Sequence, residues 1–200
     1  MKISEVKTAF KIADVELING STKLKFHYLD DLKDESWAEL NAKILKENVA
    51  RVYLVVVDWE IKKIWWSQAE WWIKQTLQIY QDGWIKGRPS IRSFWMWYFL
   101  YYSILENKKI EFFMIYQDNF TAEIKGLFWY NIVNNASYNY KLLEHCCITD
   151  YLVRSGWKYP DWNVQEQAWD WPDDVKFQHS EITKWSLSKQ QTRWRIKVTI

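Results

Sequence analysis

The run Val-Tyr-Leu-Val-Val-Val at residues 52–57 decides the class of this fold. It is continuous rather than alternating, and it is rich in β-branched residues, so it predicts a central strand covered on both faces. The charged residues Asp58 and Glu60 follow it, and apolar residues as far as Trp66 allow the strand to continue beyond them.

Strands and helices alternate on both sides of this run. Asn19-Gly20 favours a tight turn between strands at residues 10–18 and 22–29, and the alternation at residues 192–199 predicts a hairpin at the other end. A strand pair is expected at residues 109–133, around Asp118-Asn119. Capping boxes, helical spacing of apolar residues and a stop at Gly156 predict helices at residues 36–45, 67–80, 90–105 and 140–155.

This order of elements favours an α+β fold. We predict a single domain over residues 1–200, with a mainly antiparallel sheet, hairpins at both ends and about four helices packed on one face of the sheet. The chain of 200 residues is long enough for one well-buried core.

Composition limits the classes of partner. The net charge is only +2, so charge alone supports neither a nucleic-acid partner nor a membrane. The longest apolar run is too short to span a bilayer, and the start of the chain has no secretion signal. The two cysteines, Cys146 and Cys147, are adjacent, which suits a reducing compartment. We therefore expect a cytoplasmic protein without membrane contact.

Motifs for chemistry are few. The sequence has no P-loop, no glycine-rich dinucleotide motif and no metalloprotease motif. One acidic pattern remains, Glu60-Ile61-Lys62, which lies between the apolar strand and the helix predicted from residue 67. We therefore predict no catalytic residues unless the chain is a nuclease, in which case the catalytic residues are Glu60 and Lys62.

That pattern resembles the core of the PD-(D/E)xK nucleases over residues 52–81. The resemblance implies that Glu60 and an upstream aspartate hold Mg²⁺ while Lys62 assists hydrolysis. Asp30 and Asp31 are the candidates for the upstream acid. A second copy of the E-x-K pattern lies at residues 123–125.

Aromatic residues indicate a binding surface. They make up 18% of the chain, including 16 Trp, more than a core of this size needs. Trp71 falls on the polar face of its predicted helix. The segment 157–174, with five acids and one lysine, combines rings with carboxylates, and it is either a surface suited to a basic protein or a lid whose rings fill the core. The residues predicted to bind there are Trp162, Trp169, Trp171, Asp170, Asp173 and Asp174.

Three functions follow. The first is a protein-binding module, such as a small bacterial inhibitor or immunity-type protein that neutralises a basic partner, with no cofactor, no metal and no enzymatic activity. Nucleic acid is an unlikely partner in this interpretation. The second is a Mg²⁺-dependent nuclease of the PD-(D/E)xK type. The third is a binder of carbohydrate or nucleotide that uses exposed rings.

Overall fold

The elements described here come from a computed structural model, which describes residues 1–28, 49–66, 73–81, 90–136, 139–163 and 172–181. In those residues the strands are β1 (Phe10–Leu17), β2 (Leu24–Tyr28), β3 (Ala50–Val57), β4 (Glu60–Trp66), β5 (Ile110–Gln117), β6 (Phe120–Lys125) and β7 (Tyr130–Ala136). The α-helices are α1 (Ile73–Gln81), α2 (Ile91–Leu105), α3 (Tyr140–Arg154) and α4 (173–181), and a short 3-10 helix spans Ile3–Glu5.

Five strands form one antiparallel sheet in the order β2-β1-β5-β3-β4, and β6 and β7 form a separate two-stranded sheet. Every residue of β3 is buried, as the β-branched run predicts for a strand covered on both sides. The predicted α+β class, with a mainly antiparallel sheet and four helices, is confirmed.

The two faces of the large sheet carry separate cores. Tyr53 and Val55 of β3 pack with Phe94 and Trp95 of α2 on one face. Leu54 and Val56, the alternate residues of the same strand, pack with residues of α3 on the other. The prediction that the helices share one face is therefore wrong, because a strand that is apolar on both sides needs a cover on both sides.

Residues 52–66 form a hairpin rather than one long strand. Asp58 and Trp59 adopt positive φ angles of 47° and 71°, the left-handed geometry of a tight turn. The Asp58 carboxylate accepts a hydrogen bond from the Lys109 backbone N–H at 2.9 Å, which holds the turn against the start of β5. Tryptophan rarely occupies such a position, so the pattern of residue types gave no sign of the turn.

The ends of several other helices and strands agree more closely with those predicted from the sequence. Ser90 caps α2 by accepting from the Ser93 N–H, and α3 ends shortly before Gly156, whose φ is +67°. The N-terminal hairpin forms around Gly20 as predicted. The strands predicted to pair around Asp118-Asn119 do not: β5 joins the large sheet, and β6 pairs with β7.

Two predictions fall outside the described residues: the helix at 36–45 and the C-terminal hairpin. Among the helices that are described, none is long and apolar enough to cross a membrane.

A candidate active site at the edge of the sheet

Lys62 sits in a β-bulge on the outermost strand of the large sheet. The pairing of β3 with β4 shifts between Val55 and Val56, so that Val55 opposes Lys63, Val56 opposes Ile61, and Lys62 has no partner in the ladder. Bulges commonly redirect one side chain out of a regular strand, and they are frequent beside active sites. The E-x-K pattern therefore lies where the strand is irregular.

The segment 160–163 covers the outer edge of β4 at this bulge. The Trp162 N–H donates to the Lys62 carbonyl at 2.8 Å, and the Lys63 ammonium donates to the Trp162 carbonyl at 3.1 Å. The fully buried Asn163 side chain accepts from the Ile64 N–H and donates to the Ile64 carbonyl, each at 2.9 Å. These bonds satisfy edge groups that a sheet would otherwise leave open.

This contact brings a second carboxylate to Lys62. Its ammonium lies 2.7 Å from Glu60 Oε2 and 2.8 Å from Asp161 Oδ2. The side chains of Glu60 and Asp161 are 55% and 69% exposed, whereas that of Lys62 is only 22% exposed. The lysine therefore lies beneath two carboxylates that face solvent.

The electrostatics of the cluster favour the charged forms of Lys62 and Glu60. Burial by itself lowers the pKa of Lys62, but its hydrogen bonds to Asp161 and Glu60 raise that pKa above the ordinary value. The hydrogen bond from Lys62 in turn lowers the pKa of the Glu60 carboxyl. Lys62 is therefore a fixed cation rather than a proton acceptor.

A cavity of about 400 Å³ opens beside the cluster. Lys62 and Asp161 line it together with two tyrosines of α2, Tyr98 and Tyr102, whose ring centroids are 4.4 Å apart. Burial raises the pKa of Tyr98 to about 12, and a hydrogen bond to Asp174 contributes to the increase. This phenol stays protonated, so the cavity offers a cation, a carboxylate and aromatic rings.

The residues at this point are compatible with one divalent cation. Among the described residues, no group of three or more His, Cys, Asp or Glu side chains could hold a metal. Glu60 and Asp161 nevertheless both contact the Lys62 ammonium, so two carboxylates converge on one point at the edge of β4. Mg²⁺ is commonly held by one or two carboxylates and completes its shell with water and substrate phosphates.

The structure separates the residues predicted for a binding surface. Trp162 is only 7% exposed, and its ring stacks on Phe99 in the core, with the ring centroids 4.9 Å apart. It is therefore no surface anchor, because its large ring fills the space between α2 and β4. Asp174 accepts a hydrogen bond from the Tyr98 hydroxyl at 3.0 Å, and Asp173 is exposed to solvent. Trp71, Trp169, Asp170 and Trp171 lie outside the described residues, as do Asp30 and Asp31.

Asp161 was missed as a partner of the E-x-K pattern. It belongs to the acidic segment 157–174, and its acidity alone gave no reason to place it beside β4. The available signal is the neighbouring pair Trp162-Asn163, a large ring and an amide that suit a buried position. Tyr98 and Tyr102 likewise carried no signal beyond their place in an aromatic helix.

Comparisons with known proteins identify only structural likeness. No protein family and no curated protein matches this sequence. One similar solved structure is the restriction endonuclease HPY188I in complex with product DNA, at 18% identity and a TM-score of 0.44 over 80% of this chain and 84% of that one. Another is a mutant of bacteriophage T4 EndoII, at 15% identity and a TM-score of 0.48 over 82% of this chain and 98% of that one.

The prediction of a protein-binding module is corrected by these findings. Both similar structures are nucleases, and neither is an immunity-type protein. The expectation that nucleic acid is an unlikely partner is corrected on the same finding. The geometry agrees with the first correction at Trp162, whose buried ring is not available to a basic protein.

Proposed function

We propose that this chain is a metal-assisted nuclease whose active centre contains Glu60, Asp161 and Lys62. The observation that carries the proposal is the position of the Lys62 ammonium between two carboxylates, 2.7 Å from Glu60 and 2.8 Å from Asp161. The resemblance to the PD-(D/E)xK nucleases implies an upstream aspartate as the second acid, and this chain departs from that order because Asp161 lies downstream, in the segment after α3.

Each residue of the cluster has a role in phosphodiester hydrolysis. Glu60 and Asp161 would hold a divalent cation, which supplies a Lewis acid and lowers the pKa of a bound water. Lys62, whose own pKa is raised, would contribute a fixed positive charge to the phosphate oxygens as negative charge develops on them.

The cavity beside the cluster suits a nucleic-acid strand. Tyr102, which is 39% exposed, and its neighbour Tyr98 provide faces on which a base can stack. Lys108 also lines the cavity and can contact the backbone phosphates.

The first test is cleavage of plasmid DNA and of labelled RNA by the purified chain. We expect products with Mg²⁺ or Mn²⁺ and none with a chelator. Glu60→Gln should lower the cleavage rate by about a hundredfold or more, because it removes a charged ligand of the metal. It should leave the unfolding midpoint almost unchanged, since Glu60 is exposed.

The matched control is Glu16→Gln on β1. The Glu16 side chain is 54% exposed and, like Glu60, forms an ion pair with a lysine, but its strand β1 lies three positions from β4 in the sheet. Its loss should leave cleavage unchanged. If DNA and RNA both survive incubation with either metal, or if the two variants behave alike, the proposal is wrong.

A further inference from the structure

The small sheet of β6 and β7 exposes apolar side chains on a hairpin. Among the described residues, these two strands pair with each other and with no other strand. A two-stranded hairpin is marginally stable on its own, and its outer edges are open to further strands. The exposed large side chains are Leu127 (89%), Phe128 (79%), Trp129 (78%), Ile132 (72%), Tyr130 (65%) and Ile124 (50%).

This exposure is too large for an ordinary surface. An aromatic side chain carries about 150–250 Å² of surface, so the rings and aliphatic side chains of the hairpin present several hundred Å² of apolar area. That approaches the roughly 800 Å² that each partner contributes to a standard protein interface. The hairpin tip is also a defined turn, because the Gly126 N–H donates to the Trp129 carbonyl at 2.8 Å.

The charges on the hairpin argue against a phosphate backbone and favour a second copy of the hairpin. Residues 118–136 carry two acids, Asp118 and Glu123, and one base, Lys125. Their net charge is negative, which opposes a nucleic acid. Glu123 and Lys125, two residues apart on β6, point to the same face of the strand.

We infer that two copies of this chain associate through β6, in antiparallel register about Ile124. In that register Glu123 lies opposite Lys125 of the partner subunit, and Lys125 lies opposite Glu123 of the partner subunit. The two-fold axis makes both ion pairs at once. The two hairpins then form one continuous four-stranded sheet.

The same register matches apolar residues with apolar residues. Antiparallel pairing about Ile124 places Ile124, which is 50% exposed in the single chain, opposite Ile124 of the partner subunit.

The test is the mass of the full chain in solution, measured by sedimentation over micromolar concentrations. We expect a species of twice the 24.5 kDa chain mass. Glu123→Lys and Lys125→Glu should each weaken the dimer about tenfold or more, because each places like charges opposite one another twice. The double variant that carries both changes should recover the dimer.

Mixing the two single variants distinguishes pairing between chains from an effect within one chain. A one-to-one mixture should form heterodimers, since the reversed charges are complementary only between the two variants. Asp173→Lys, a similar change of charge at a fully exposed position on α4, should leave association unchanged. A monomeric wild-type chain, or a dimer that tolerates both single variants, would overturn the inference. So would a monomer whose hairpin variants lose only nucleic-acid binding.

Discussion

Glu111 is a buried carboxylate in the middle of the large sheet. It lies on β5 with its side chain only 5% exposed, and it accepts from Lys11 at 2.7 Å and from Lys109 at 2.8 Å. Burial by itself raises the pKa of this carboxyl, but the hydrogen bonds from Lys109 and Lys11 lower it below its ordinary value. The carboxylate is therefore bound more strongly as an anion in the folded state than in the unfolded state.

This shift predicts the direction of an acid effect on stability. A carboxyl with a lowered folded pKa stabilises the fold above its unfolded pKa of about 4.3, and that stabilisation is lost as the pH falls through the folded value. Glu111→Gln should lower the free energy of unfolding at pH 7 by about 1–3 kcal/mol and flatten its decline in acid. Denaturant titrations at a series of pH values measure both effects.

A surface carboxylate provides the control for Glu111. Glu106→Gln, at a side chain that is 60% exposed, should change neither the stability at pH 7 nor the slope in acid appreciably. Parallel curves of stability against pH for the parent and Glu111→Gln would contradict this account of the ion pairs.

The candidate site was predictable from the sequence only as far as local spacing reaches. Glu60 and Lys62 are only two residues apart and come soon after the apolar run at residues 52–57, so one short stretch of sequence contains both. Asp161 reaches them through tertiary contacts of a segment 99 residues beyond Lys62, and no local pattern encodes that distance. The rings of Tyr98 and Tyr102 join the site for the same reason.

At the scale of elements, the segment 160–163 acts as a strap on the edge of β4. Trp162 enters the core beside Phe99, and Asn163 replaces a neighbouring strand by bonding both backbone groups of Ile64. The strap thereby fixes Asp161 beside Lys62. The predictions of α2, α3 and β3 were accurate because capping residues and long apolar runs specify them locally, whereas the β4 turn at Asp58-Trp59 depends on contacts with β5.

Removal of the Trp162 ring tests the strap. Trp162→Ala should lower the free energy of unfolding by about 3–5 kcal/mol, because a buried ring is replaced by a cavity. Denaturant unfolding followed by circular dichroism measures the change. Phe177→Ala, which truncates a side chain that is 66% exposed, should cost less than about 1 kcal/mol. Equal midpoints for the two variants would show that Trp162 is not part of the core.

At the scale of the whole molecule, the two proposed sites lie on different sheets. The sheet edge at β4 carries the proposed active centre, and the hairpin of β6 and β7 carries the proposed dimer contact. A dimer would give each assembly two active centres related by a two-fold axis, the symmetry of a nucleic-acid duplex whose strands run in opposite directions. The two proposals nevertheless fail independently, since one is measured by cleavage and the other by mass.

The most direct measurement of the central claim is the Mg²⁺-dependent cleavage rate of Asp161→Asn. Glu60 belongs to a motif that the sequence already displays, but only the structure places Asp161 at Lys62. We predict a loss of about a hundredfold or more with the fold intact, and no loss for Asp173→Asn, an exposed aspartate at the start of α4. Full cleavage by Asp161→Asn would contradict the account, because the second acid of the centre would then be dispensable.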